Sequence, residues 1–190
     1  MTDMFDLDSY CSQLQGDSAI ILSRFPDKSV DLILTDPEYD MDESTKHLFH
    51  NHFLRISRQW IIVFMPPENT WILPANQYLF WVKPISTKNT SKSYSRFVEQ
   101  IFIYGHGTWN NDRHWSQYTN VFMDLVDDTK GHRHRKPPSL IERLIRNHTS
   151  EGDLILDPFC GSGVVGQVGK ILNRRVITID KNASNTIIGI

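Results

Sequence analysis

The chain is predicted to be an α/β protein with a mostly parallel sheet covered by helices on both faces and an antiparallel hairpin at one edge. Three observations carry this. Near-continuous apolar runs occur at 30–35 (VDLILT), 60–65 (WIIVFM) and 153–157 (DLILD), as expected of strands buried on both faces. Segments of helical character fall between strands, and strand–helix alternation implies parallel pairing. Late in the chain, a strand runs directly into a glycine-rich turn and then a helix.

In order, the first strand, 30–35, empties into Asp36-Pro37-Glu38-Tyr39-Asp40. A helix is expected over 43–58, then the strand 60–65. Strands over 78–83 (YLFWVK) and 99–104 (EQIFIY) have no convincing helix between them, only the polar connector PISTKNTSKSYSR, which predicts the hairpin. Leu140, Ile141, Leu144 and Ile145 recur at helical spacing behind Pro137-Pro138, so a helix is expected over 138–149. The strand 153–157, a helix over 162–173 and the strand 175–180 (RVITID) follow.

The 190 residues suit one domain, 1–190, with a small target-recognition insertion at approximately 105–135. With 39% hydrophobic and 22% charged residues the chain is globular, and its net charge of −2 offers no global field for nucleic acid, so any such partner must meet a local basic face. Cys11 and Cys160 make neither a disulfide framework nor a zinc site and fit a reducing, cytoplasmic setting. The segment MTDMFDLDSY lacks the features of a signal peptide, and no apolar run approaches a membrane span.

Residues 153–166, DLILDPFCGSGVVG, lay out a nucleotide-binding turn: strand, Gly161-x-Gly163-x-x-Gly166, helix, and an acid, Asp180, ending the next strand. Glycines let the backbone approach a ligand, and the downstream acid can accept hydrogen bonds from ribose hydroxyls. Asp157, just before the glycines, would repel a pyrophosphate and instead suits an amino-bearing or cationic ligand. Little chain follows Asp180, so the remaining strands must come from upstream. The sheet is therefore expected to be circularly permuted.

These residues resemble the permuted (β-class) amino-methyltransferases of DNA, which methylate exocyclic amines with S-adenosylmethionine. The early block QGDSAIILSRFPDKSVDLILTDPEYD and the late block KPPSLIERLIRNHTSEGDLILDPFCGSG carry the resemblance, with YLFWVKP and RFVEQIFIYGHG between them. The resemblance implies a Rossmann-like methyltransferase fold, S-adenosyl-L-methionine as cofactor and DNA as partner, with a homodimer possible and no membrane. It implies adenine N6 as the target, cytosine N4 being the alternative, and a compact form suited to a phage or mobile-element modification enzyme. Asp36 and the Pro37 carbonyl would accept from the target amine and free its lone pair, and Tyr39 would stack on the extruded base. Asp17, Asp36, Lys136, Asp157, Pro158, Phe159, Gly161, Gly163 and Asp180 would form the cofactor side, Lys136 reaching the methionine carboxylate or a DNA phosphate. A loop cap remains the competing role for Asp17.

Glu38 departs from the family's second proline, adding charge and loosening the turn. Three readings stay open at this stage: an active DNA enzyme, a catalytically weak or inactive DNA-binding or partner protein, and an enzyme for an RNA or protein amide. Basic residues interleaved with aromatics, Lys88, Lys92, Arg96, Arg113, Arg133 and Arg135 among them, suit phosphates and unstacked bases, or else form a solvated polar loop. The tract GHRHRK (131–136) lacks the Cys or acid that would complete a metal site.

Overall fold

The computed structural model describes residues 11–72, 74–83, 97–125 and 135–182. In chain order these form β1 (Cys11–Gln15), α1 (Ser18–Leu22), β2 (Val30–Thr35), α2 (Glu43–Ile56), β3 (Ser57–Met65), β4 (Gln77–Val82), β5 (Val98–Gly105), a 3₁₀ turn (Trp115–Tyr118), β6 (Val121–Met123), α3 (Pro138–His148), β7 (Leu154–Asp157), α4 (Val164–Ile171) and β8 (Arg175–Asp180). The strands make one sheet in the order β1-β8-β7-β2-β3-β5-β4-β6.

Strand alternation divides the core into two layers. On one face Leu32, Leu34, Trp60, Ile62 and Phe64 pack under α3 and α4, whose Leu140, Ile141, Leu144, Val165 and Val168 point inward. On the other, Ile33, Ile61 and Val63 meet Phe49, Phe53 and Ile56 of α2 and Leu22 of α1. Helix α3 begins with Pro138 in its first turn and ends with Arg146 and His148 in its last, a polarity that suits the helix dipole.

The permutation is evident in the pairing. Parallel β7 and β2 are neighbours (Leu32↔Ile155, Ile33↔Leu156), although they lie at opposite ends of the chain. From β7 the chain winds through α4 to β8 on one side; from β2 it winds through α2 to β3 on the other. Strand order thus reverses between β7 and β2. In open α/β sheets that reversal opens a ligand crevice at the strands' carboxyl ends.

The antiparallel pair β4–β5 forms as expected, but it is not the edge. Strand β6 adds outside β4 in parallel, and its three residues are too few to show a period in sequence. The opposite edge is β1, whose CSQLQ is polar and only partly buried.

Candidate active site

Two loops meet at the crevice. After β2, residues 36–39 turn out of the sheet; after β7, residues 158–163 do the same. Together with Lys136 and the start of α4 they line a cavity of about 270 Å³, bounded by Thr35, Asp36, Phe64, Arg135, Asp157 and Phe159, among others.

The glycine-loop side is built locally. Gly161 and Gly163 have φ of 49° and 71°, the left-handed region that costs glycine nothing, and Gly163 caps α4. A Cβ placed on Gly161 would meet only the Phe159 carbonyl oxygen, at 3.8 Å, so the backbone there faces open space. The buried Asp157 carboxylate accepts from Thr35 Oγ1 (2.9 Å) and from the Phe159 amide (3.1 Å). Burial pushes its pKa up to about 7 against the pull of those hydrogen bonds, and nearby Asp36 and Asp180 add to the rise. Such an acid gains from a cationic ligand. Phe159 is held by an edge contact with Phe49, ring centroids 4.9 Å apart. These features fit an amino acid-bearing nucleoside: an acid for an ammonium, an apolar wall and a backbone cradle.

The acidic-turn side is assembled from distant segments. Asp36 Oδ1 accepts from the Tyr39 hydroxyl (3.0 Å), and Asp36 Oδ2 pairs with Lys136 Nζ. That ammonium also lies 3.2 Å from the Tyr39 hydroxyl and 3.2 Å from Glu99 Oε2, while Glu99 Oε1 pairs with Lys83. Four charges therefore alternate, Asp36, Lys136, Glu99, Lys83, from the cavity into the sheet. Burial raises the Asp36 pKa, and Lys136 opposes that rise. Burial also opposes the charge on Lys136, but Asp36 and Glu99 outweigh it and hold the ammonium protonated.

Several sequence-based assignments need adjustment. Lys136 lines the cavity, and its ammonium pairs with Asp36 and lies in ionic contact with Glu99. Arg135, expected on a DNA face, is buried; it lines the same cavity and donates to Gln167 Oε1 at 2.9 Å. Asp17 caps α1, accepting from the amides of Ala19 (2.8 Å) and Ile20 (3.2 Å). Pro158 anchors that helix instead of lining the cavity, its carbonyl accepting from Ser18 Oγ at 2.6 Å. Asp180 closes β8, one strand from β7, and Asp180 Oδ1 accepts from the Asn182 amide at 2.7 Å. Glu38 turns outward: Glu38 Oε1 lies 3.4 Å from Lys181 Nζ, both side chains 58% exposed. Arg113 is half-buried, donating to Asn147 Oδ1 and Gln117 Oε1. Lys88, Lys92, Arg96 and Arg133 lie outside the described residues. No group of His, Cys or acidic residues able to hold a metal occurs among the described residues.

Glu99 was absent from the sequence-based assignments. The signal was present: Glu99, Ile101 and Ile103 alternate on one face of β5, so a charge sits where the strand points into the core.

A family model described as DNA methylase, of the N6/N4 type, matches residues 72–186. The chain is 25% identical over 212 residues to the type II methyltransferase M.HpaI of Haemophilus parainfluenzae, covering 85% of this chain and 67% of that one. It is 26% identical over 226 residues to the type II methyltransferase M2.DpnII of Streptococcus pneumoniae, covering 88% and 83%. Among solved structures, the M1.HpyAVI–SAM complex superposes with a TM-score of 0.71 at 22% identity, covering 92% of this chain and 96% of that one. The cytosine-N4-specific PvuII DNA methyltransferase does so with a TM-score of 0.69 at 16% identity, covering 92% and 83%. These two likenesses establish the fold.

Proposed function

The chain belongs to the N6/N4 DNA amino-methyltransferase family, and on that premise we propose that it methylates an exocyclic base amine of DNA, adenine N6, using S-adenosylmethionine. The observation that carries this reading is the convergence of Asp36 and the glycine loop on one cavity at the β2/β7 reversal. Each half alone has ordinary structural explanations; together they bring an amine acceptor beside a cofactor cradle.

The cofactor, when bound, supplies an electrophilic methyl on a sulfonium sulfur. What the protein must add is position. Asp157, once ionised, would take the amino group of the methionine moiety, and Arg135 in the same cavity would suit its carboxylate. Phe159 gives the apolar wall, and Asp180 the ribose acceptor. Asp36, with the Pro37 carbonyl, would accept hydrogen bonds from the N–H groups of the target amine, so that the nitrogen lone pair is freed from the ring for the methyl. As the methyl leaves sulfur for the amine nitrogen, the sulfur–methyl bonding pair staying behind on a neutral thioether, the proton shed by the nitrogen would pass to the Asp36 carboxylate. Tyr39 offers its ring to the extruded base while its hydroxyl holds Asp36. Contacts to DNA are assigned to Lys88, Lys92, Arg96, Arg113 and Arg133, and to Trp115, which is 71% exposed.

The competing reading, a non-catalytic relative, rests on Glu38 and on the short segment between Asp40 and β3. The outward pairing of Glu38 with Lys181 leaves Asp36 facing the cavity and favours activity. No described helix is long and apolar enough to cross a membrane.

The test is incubation with labelled S-adenosylmethionine and DNA, followed by nucleoside analysis. N6-methyladenine is expected. N4-methylcytosine would change the base but keep the reaction, and no methylated nucleoside on varied DNA would overturn the reading.

A further inference from the structure

The ammonium of Lys136 is in an unusual position for a residue bordering a reactive cavity. Its side chain is 3% exposed, and the faces of Phe64, Tyr39 and Trp81 surround it, with ring centroids 5.3, 5.9 and 6.0 Å away. An ammonium has three donors. One goes to Asp36 Oδ2 and one to the Tyr39 hydroxyl. The third has Glu99 Oε2 within 3.2 Å, yet the angle makes no hydrogen bond, and this buried oxygen takes none among the described residues. A buried carboxylate oxygen left without a donor is costly and calls for an explanation.

The Asp36 oxygen that holds Lys136 is also one that a target amine needs. Both are donors competing for one acceptor. Moving Lys136 away from Asp36 without a second partner would strand a buried cation. Glu99 Oε2 is that partner, already in ionic contact and short of one donor. The aromatic faces around the ammonium attract it without directional bonds, so besides the bond to Asp36 a small shift between the two carboxylates puts at stake only the 3.2 Å contact with the Tyr39 hydroxyl.

We propose that Glu99 is a positioning residue for methyl transfer: it receives the Lys136 ammonium when the target amine takes its place on Asp36. Glu99 touches neither base nor cofactor; it acts through Lys136. Lys83, paired with the other Glu99 oxygen, keeps that carboxylate fixed in place. Until a target amine arrives, Lys136 gives Asp36 Oδ2 a resident donor, beside the Tyr39 hydroxyl on Oδ1. The proposal rests on the amine-methyltransfer reading above.

The experiment is single-turnover transfer at saturating DNA and cofactor, with cofactor binding measured on the same samples as a check of folding. Glu99→Gln keeps size and removes the charge that receives Lys136. It is expected to slow transfer about tenfold or more while leaving cofactor affinity unchanged. In a Lys136→Met background there is no ammonium to receive, so adding Glu99→Gln should change the rate less than about twofold; a purely structural Glu99 would slow both backgrounds alike. Should Glu99→Gln fail to bind cofactor, Glu99→Asp keeps the charge but withdraws it by one methylene, and an intermediate slowing is expected. Wild-type-like rates in the folded Glu99 variant, or equal slowing in both backgrounds, would overturn the hand-over alone. An inactive wild type would remove the methyltransfer reading and this proposal together.

Discussion

The two walls of the cavity are made in opposite ways. The glycine-loop wall comes from one continuous stretch: β7, the loop and the start of α4 bring Asp157, Phe159 and Gly161 together within a few residues. The acidic-turn wall draws Asp36, Glu99 and Lys136 from three separate segments, with 100 residues between Asp36 and Lys136. In the reading proposed above, the first wall holds the cofactor with backbone shape and one buried acid. The second holds an alternating set of charges that must stay balanced. A cradle survives as a local motif, whereas a reactive acceptor needs counter-charges that only the folded sheet can deliver.

If the walls are separable in this way, variants on one should spare the other. The largest effect is expected from Asp36→Ala. Loss of the amine acceptor should lower methyl transfer by about 10²–10⁴-fold, while calorimetry finds cofactor affinity nearly unchanged. A parallel collapse of cofactor binding would show that the walls are one unit.

Asp157→Asn addresses the other wall and should weaken cofactor binding by about 1–3 kcal/mol, the scale for a charged hydrogen-bond partner. It should also remove a pH dependence. With its pKa near 7, Asp157 is largely neutral below that pH and anionic above, so wild-type affinity for the ammonium-bearing cofactor should tighten as pH rises from 6 to 8. Stability of the free protein moves the other way. A carboxyl whose folded pKa lies above its ordinary 3.8 contributes stability that is fully present below 3.8 and lost as pH rises through 7. Titration calorimetry and thermal melts across this range should therefore show opposite slopes, and Asp157→Asn should flatten both.

Trp115→Ala, outside both walls, should weaken DNA binding by about 1 kcal/mol or more through lost base stacking, with cofactor affinity unmoved. The smallest effect belongs to Glu38. Its pair with Lys181 is more than half exposed, so Glu38→Ala should change cofactor affinity by no more than about 1 kcal/mol. Glu38→Pro, which stiffens the turn, should raise the transfer rate a few-fold. A slower Glu38→Pro enzyme would mean that the turn needs the freedom its glutamate allows.

The same division decides what could be read from the residues alone. Strand β2 (30–35) and strand β8 (175–180) have their expected bounds, and α2 and α3 end within two residues of theirs, because long apolar periods announce themselves. Strands β1 and β6 were not anticipated, the one polar and the other three residues long. Helix α1 spans five residues and owes its start to Asp17, whose capping role competes with any ligand role and could not be separated from it by type. The cradle was legible because its chemistry is contiguous. The partners of Lys136 were not, because neither Lys-Pro-Pro nor Glu-Gln-Ile-Phe-Ile says which strand will lie opposite.

The pairing of β2 with β7 also has a consequence for how the molecule comes into being. It joins Leu32 to Ile155, so the central seam of the sheet closes only after most of the chain is available. On a ribosome β2, β3 and β5 emerge well before β7, and the long loop's closure entropy must be met before the seam gives any contact in return. The emerging half presents the apolar edge of β2 with no neighbour, while the nucleoside cradle does not yet exist. Cofactor can therefore stabilise only the finished fold, never the intermediate, and abundant cofactor should raise the yield of native protein by drawing completed chains out of that exposed state.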